Sequence, residues 1–178
     1  MTFDALKLAR PAIVSMKAYQ SARSQITTNE ARIFMDANEL SHEAKPELAR
    51  YPDPQPRELL DFVTARFDVS QSNVFLGAGV DDAIDALLRV FCEAKQDNIL
   101  ITPPTYGFYS VSAAIQGCAV LEAPLKAESF DLDEDLILKT IDANTKLVFV
   151  CNPNNPTGNT FNGERLLRLA KAIGDRSL

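Results

Sequence analysis

The 178-residue sequence predicts an α/β protein: an incomplete three-layer α/β/α large domain around a mostly parallel sheet, preceded by an N-terminal arm. Three observations predict it. From Asn73 onward, short apolar runs alternate with amphipathic segments. The runs Ile99-Leu100-Ile101 and Leu147-Val148-Phe149-Val150 are apolar at consecutive positions, as in strands covered on both faces. Pro and Gly punctuate the ends of these runs, and helix-period segments separate them, the order that gives parallel pairing through crossover helices.

The elements follow in order. Residues 1–50 carry weak periodicity and read as an extended arm, with one strand-like run at Arg32-Ile33-Phe34-Met35. Pro52, Pro54 and Pro56 make the next stretch a rigid connector, because each lacks an N–H and drives its predecessor to extended geometry. Pro56 opens a helix in which Leu60, Val63 and Phe67 recur at helical spacing. The connector and helix occupy 51–72, and the large domain occupies 73–178. In that domain Val74-Phe75-Leu76 is expected as a strand. A helix with Ile84, Leu87, Leu88 and Phe91 on one face follows, then the strand at 99–101. The segment from Thr105 to about Gln116 is expected as a helix stopped by Gly117, before a strand at Ala119-Val120-Leu121. Asp133 opens a helix through Ile141, the strand at 147–150 comes next, and a last helix carries Leu166, Leu169, Ala170 and Ile173 up to Gly174.

Composition excludes several functions. Charged residues make up 24% of the chain and the formal net charge is −6, with no run of Lys and Arg longer than two. That is neither a nucleic-acid footprint nor a polybasic membrane patch. No apolar stretch reaches membrane length and the first ten residues lack a signal-peptide core, so a cytoplasmic protein is expected. Cys92, Cys118 and Cys151 lie too far apart for a metal or redox C-x-x-C motif, and read as reduced, buried thiols. A single histidine, His42, leaves no obvious base for a Ser-His-Asp triad and no pair of imidazoles for zinc. It reads as a solvated loop residue.

Three loops stand out, each next to a predicted strand. Gly77-Ala78-Gly79-Val80-Asp81-Asp82 precedes a helix, where glycines permit a sharp turn and free N–H groups can hold a phosphate. It lacks the third glycine and the later acidic residue of a dinucleotide-binding loop. The plain alternative is a tight turn whose acids favour the helix dipole. Pro103-Pro104-Thr105-Tyr106-Gly107-Phe108-Tyr109 lies at a strand's carboxyl end, where ligands of open α/β sheets gather. Its tyrosine can lie flat on a heteroaromatic ring or can be an ordinary core aromatic. Asn152-Pro153-Asn154-Asn155-Pro156-Thr157-Gly158 is the most specific of the three. Two Asn-Pro steps stiffen the loop, and its amides can donate to an anionic oxygen.

This last run resembles the signature of the fold-type-I pyridoxal-phosphate aminotransferases. Tyr19-Gln20-Ser21-Ala22-Arg23, Asp36-Ala37-Asn38-Glu39, Arg50 through Pro56, and Pro103 through Tyr109 narrow the likeness to the histidinol-phosphate aminotransferase family, over essentially all 178 residues. The resemblance implies pyridoxal 5'-phosphate as cofactor and no metal. It also implies amino transfer between glutamate and imidazole-acetol phosphate, giving histidinol phosphate and 2-oxoglutarate in L-histidine biosynthesis. By the same resemblance the amides of Val80 and Asp81 hold the cofactor phosphate, Tyr106 stacks on its ring and Asn155 donates to its phenolic oxygen. Tyr51 reaches the partner subunit's cofactor phosphate in a homodimer, and Tyr19, Asn38 and Glu39 help enclose the substrate. At least one of the Pro103–Pro104 and Asn155–Pro156 bonds is expected to be cis. The family continues past the position of Leu178 with a strand ending Asp-Glu-Ala-Tyr and, later, a Ser-Lys pair whose lysine anchors the cofactor. None of the eight lysines here sits in such a setting, so an inactive N-terminal half is expected. The related threonine-phosphate decarboxylases and a non-catalytic binding module are the alternatives.

Overall fold

The computed structural model describes residues 3–19, 35, 37–39, 49, 51–53 and 56–178. The strand-like run at 32–34 and His42 lie outside them. Two compact units form, one of Met1–Met16 with Gly77–Leu178, the other of Lys17–Leu76.

The first unit is built on three parallel strands: β1 (Asn98–Ile101), β2 (Ala119–Glu122) and β3 (Thr145–Phe149), in the order β2-β1-β3. The central strand β1 is buried at every residue. Its side chains alternate between two cores. Ile99 and Ile101 join Leu147 and the buried faces of α3 (Val80–Phe91) and α4 (Phe108–Gln116), which supply Ile84, Leu88, Phe91, Tyr109 and Ala113. Leu100 enters the opposite core with Ile137 of α5 (Glu134–Thr140) and Leu169 and Ile173 of α6 (Gly163–Ile173). Helices therefore cover both faces, and the architecture is the three-layer α/β/α arrangement that the apolar runs predict.

Local chemistry sets the helix ends. Asp133 caps α5 by accepting from the Leu136 N–H, and Asn162 caps α6 by accepting from Glu164 and Arg165. Gly117 ends α4 at φ 78°, a left-handed position where a Cβ would be strained. Arg165 of α6 reaches Asp131 and Glu134 at 2.7 Å each, tying the two helices of one layer together. On the other layer Arg10 docks the N-terminal segment. Its guanidinium donates to both Glu93 oxygens and to the Arg89 carbonyl at the carboxyl end of α3, where a cation is favoured. The short helix α1 (Pro11–Val14) follows it.

Val74-Phe75-Leu76 is not a strand. Val74 is extended (φ −121°, ψ 126°), but among the described residues no strand pairs with the segment, and without a hydrogen-bonded ladder an apolar run does not become a strand. It closes the second unit, which contains α2 (Arg57–Phe67), with Pro56 at its N-cap and Asp68 left-handed at its end (φ 52°). The segment 105–107 is likewise loop, and α4 begins only at Phe108.

Cys92 and Cys118 are buried and free, and burial pushes the Cys92 thiol up to about 12. Both act as small apolar fillers. Among the described residues no helix is long and apolar enough to cross a membrane, and no cluster of His, Cys, Asp and Glu could hold a metal.

At the opposite sheet edge from the loops described next, Asn98, Asp142 and Thr145 form a side-chain network with contacts of 2.7–3.2 Å. The Asn98 amide, with the Asn144 and Thr145 backbone and the Thr145 hydroxyl, holds the Asp142 carboxyl below the usual carboxylate range against a smaller opposing effect of burial. A depressed folded-state pKa gives stability that is present above the unfolded value, near ~3.9, and is lost as pH falls through the folded value. Asp142→Asn is expected to remove part of that acid-side loss, which urea denaturation at neutral and acidic pH measures. Leu88, fully buried, is expected to cost about 2–5 kcal/mol when cut to Ala. Leu167→Ala, at a residue 57% exposed, should stay within about 0.5 kcal/mol in the same assay.

Candidate functional site

Parallel strands bring their carboxyl ends to one edge, and the loops after β1 and β3 leave from it together. The loop after β1 carries Pro103 to Gly107, and the loop after β3 carries Val150 to Asn162. The peptide bonds Pro103–Pro104, Asn152–Pro153 and Asn155–Pro156 are all cis, so both bonds singled out from the sequence have that form.

One buried side chain ties the two loops together. Asn154 is 3% exposed. Its amide nitrogen donates to the Pro104 carbonyl at 2.9 Å and to the Thr157 hydroxyl at 2.7 Å, and its oxygen accepts from the Thr105 hydroxyl at 3.1 Å. Thr157 in turn bonds Asn159. Because Thr105 precedes Tyr106 and Asn154 precedes Asn155, this contact ties together the two loops that carry the predicted ligand residues. Asn155 itself is exposed.

Tyr106 is half-buried and held at two points. Its ring meets Tyr109 edge-on, with centroids 5.6 Å apart and planes at 89°, and Tyr109 stacks on Phe149 at 4.6 Å. An aromatic row thus runs from the loop into the core. At its other end the Tyr106 hydroxyl donates to Asp81 Oδ1 at 2.9 Å. That hydrogen bond raises the Tyr106 phenol above its ordinary value, with burial and the Asp81 charge adding to it. Burial pushes Tyr109 up to about 12.

Asp81 belongs to the first turn of α3. The helix is entered through Gly79 at φ 102°, a backbone conformation closed to most L residues, and no side chain caps it. A Cβ placed on Gly79 would meet nothing within 4 Å, so the space over the helix start is open. Asp82 turns back to accept the Ala78 N–H at 3.0 Å, which closes the Gly77–Gly79 turn. The N–H groups of Val80 and Asp81 belong to the first turn, which has no intrahelical partners to offer them. Open space, uncapped N–H groups and the helix dipole are the features that an anion site at a helix start requires.

The structure therefore assembles Val80, Asp81, Tyr106 and Asn155 in the first unit, at one edge of its sheet. The other four predicted residues lie in the second unit. There Tyr51, 65% exposed, donates its backbone N–H to Glu39 Oε1 at 2.9 Å. Asn38 adopts φ 50°, which asparagine tolerates, and Tyr19 is 91% exposed. Sequence reading missed two residues: Asn154, whose role lies in its burial, and the Asp81 carboxylate, taken for a helix-dipole acid. Adjacent asparagines are indistinguishable in a string of letters, and the Asp81–Tyr106 contact joins residues 25 positions apart.

An uncapped helix start, a half-buried tyrosine and an exposed asparagine thus stand on loops and a helix turn linked by hydrogen bonds at the carboxyl edge of a parallel sheet, where ligands of open α/β folds gather. The chain belongs to the aminotransferase class I and II family, whose sequence model matches residues 16–177. It is 40% identical over 175 residues to the histidinol-phosphate aminotransferase of Cytophaga hutchinsonii, covering 97% of this chain and 50% of that protein. The enzyme of Flavobacterium johnsoniae is 39% identical over 170 residues, 94% of this chain and 48% of that protein. The chain thus spans about half the length of the curated relatives it matches. Among solved structures, the histidinol-phosphate aminotransferase of Sinorhizobium meliloti in complex with pyridoxal-5'-phosphate shares the fold, with TM-score 0.68 at 23% identity over 76% of this chain and 36% of that one. That of Clostridium acetobutylicum gives 0.62 at 27% identity over 72% and 36%.

Asn154→Ala would remove the bonds to the Pro104 carbonyl and to the Thr105 and Thr157 hydroxyls, and is expected to cost about 1–3 kcal/mol in total. Asn155→Ala, at an exposed position, should fall within about 0.5 kcal/mol. Thermal or urea unfolding of the two variants measures the contrast.

Proposed function

We propose that this chain supplies the N-terminal half of a pyridoxal-phosphate-dependent histidinol-phosphate aminotransferase, a cytoplasmic homodimer that moves an amino group between glutamate and imidazole-acetol phosphate in L-histidine biosynthesis. The observation that carries this reading is the convergence of the α3 start, Tyr106 and Asn155 through the bonds of Asp81 and Asn154. The extended likeness to relatives that bear that name supports it.

The residues present fit the non-covalent part of such a cofactor. The Val80 and Asp81 amides would hold its phosphate at the uncapped, open start of α3. Tyr106 would present its ring face to the pyridine, and the Asn155 amide would donate to the phenolic oxygen. When bound, pyridoxal phosphate supplies an electron-accepting ring that lowers the cost of removing a proton from the substrate's alpha carbon. Tyr51 would extend to the phosphate in the partner subunit's site, and Tyr19, Asn38 and Glu39 would wall the substrate off from water. None of the lysines lies in the first turn of α3 or in the loops after β1 and β3. A group that anchors the cofactor covalently and carries the proton must therefore come from elsewhere.

The test combines binding and turnover. The purified chain is expected to bind pyridoxal phosphate in competition with inorganic phosphate. Tyr106→Ala should weaken the cofactor about 2- to 12-fold and leave inorganic phosphate unchanged. With glutamate and imidazole-acetol phosphate the chain alone should give no turnover, and adding the C-terminal half of a full-length relative should restore it. Turnover by these 178 residues alone, abolished by changing one of the eight lysines, would sink the proposal. Activity of the complemented enzyme on threonine phosphate and not on imidazole-acetol phosphate would replace the substrate.

A further inference from the structure

Asp81 stands in two parts of the site at once. Its backbone belongs to the first turn of α3, and its carboxylate accepts the Tyr106 hydroxyl at 2.9 Å. We infer that Asp81 is a positioning residue for the ring-stacking tyrosine, locking the plane of Tyr106 to the same helix turn that seats the phosphate. This rests on the reading of the site given above, and adds to it a role for a side chain.

The geometry carries the inference in three ways. First, the edge-on contact with Tyr109 limits one side of the Tyr106 ring, but a tyrosine supported only at its side keeps freedom at its hydroxyl end. The bond to Asp81 removes that freedom, so ring plane and helix turn move as one body. Second, the two neighbouring acids divide the work. Asp82 accepts from Ala78 N–H and shapes the glycine turn, and Asp81 accepts from Tyr106. Third, an acid here works against the anion seat, since a carboxylate close to a phosphate dianion repels it. The acid's presence makes sense when the carboxylate has another partner, and an ionised carboxylate accepts hydrogen bonds only, which fixes the phenol as donor.

The charged and titratable groups around the Tyr106 hydroxyl are Asp81 from α3, Cys151 from the loop after β3 and Tyr109 from α4. The hydrogen bond to Asp81 is the largest cause of the raised Tyr106 phenol. Removing the negative charge while keeping the shape therefore has effects of opposite sign. The phenol should ionise more easily and the phosphate should bind at least as well, yet the cofactor ring should lose its fixed orientation. A merely structural residue would weaken everything together.

The experiment uses the chain itself with Asp81→Asn, Tyr106→Phe and the double variant. Tyrosine-labelled NMR follows the Tyr106 titration, equilibrium dialysis follows inorganic phosphate, and circular dichroism induced in saturating pyridoxal phosphate reports ring order per bound molecule. Expected for Asp81→Asn are a titration midpoint lowered toward the ordinary tyrosine value, phosphate affinity equal or tighter, and an induced signal at least halved. Tyr106→Phe should lose the same signal, and the double variant should be no worse than Tyr106→Phe alone, because Asp81→Asn weakens and Tyr106→Phe removes the same bond. An Asp81→Asn protein with the wild-type midpoint and the wild-type induced signal would overturn the inference. So would a variant that loses phosphate and ring order in equal measure. Failure of the wild-type chain to bind pyridoxal phosphate would instead overturn the proposed function, and the titration, which needs no cofactor, would still decide the link between Asp81 and Tyr106.

Discussion

The whole first unit depends on the double burial of β1. That strand is hydrogen-bonded to β2 on one side and β3 on the other, and its side chains feed two separate cores. A strand in this position has no polar face to offer, which explains the run Asn98-Ile99-Leu100-Ile101 and requires helices on both sides. Parallel pairing then forces every strand to end at the same edge. The loops that follow β1 and β3 have no choice but to meet there, and the chemistry of the molecule collects where the sheet's geometry delivers it.

At that edge the order of dependence runs through polar groups. Asn154 is buried among loops, not in a hydrophobic core, and each of its amide atoms has a partner. A satisfied amide of this kind is stiff, since any displacement leaves a buried donor or acceptor unpaired. Asn155 can therefore stay exposed, available to a ligand, because the residue before it carries the structural work. The same division separates Tyr109 from Tyr106: Tyr109 is buried against Phe149, and Tyr106 stays half-buried on the loop.

Much of this was legible in the sequence. The strands at 99–101, 119–121 and 147–150 each fall within a residue or two of β1, β2 and β3, because apolar runs with Pro or Gly beyond them have few other solutions. Helix ends at Asp133, Gly117 and Gly174 were readable from capping chemistry alone. The segment Val74–Leu76 shows the limit: hydrophobicity indicates what a residue avoids, while a strand also needs a neighbour, and pairing partners are distant in the chain. The site was legible as three loops but not as a network. The Thr105–Asn154 and Asp81–Tyr106 bonds span 49 and 25 positions, separations at which a single sequence contains no trace of the contact.

The placement of the three thiols has a practical consequence for anyone labelling this protein. Cys92 and Cys118 are sealed in the core between α3, α4 and the sheet, and burial disfavours the thiolate that an alkylating reagent needs at both. Cys151 is half-buried at the start of the loop that bears Asn154 and Asn155, with its sulfur 3.3 Å from the Pro153 carbonyl. A small maleimide or a fluorinated tag would thus attach first at this one position. The native chain carries, without any engineering, a selective handle a few residues from the group that would meet a ligand.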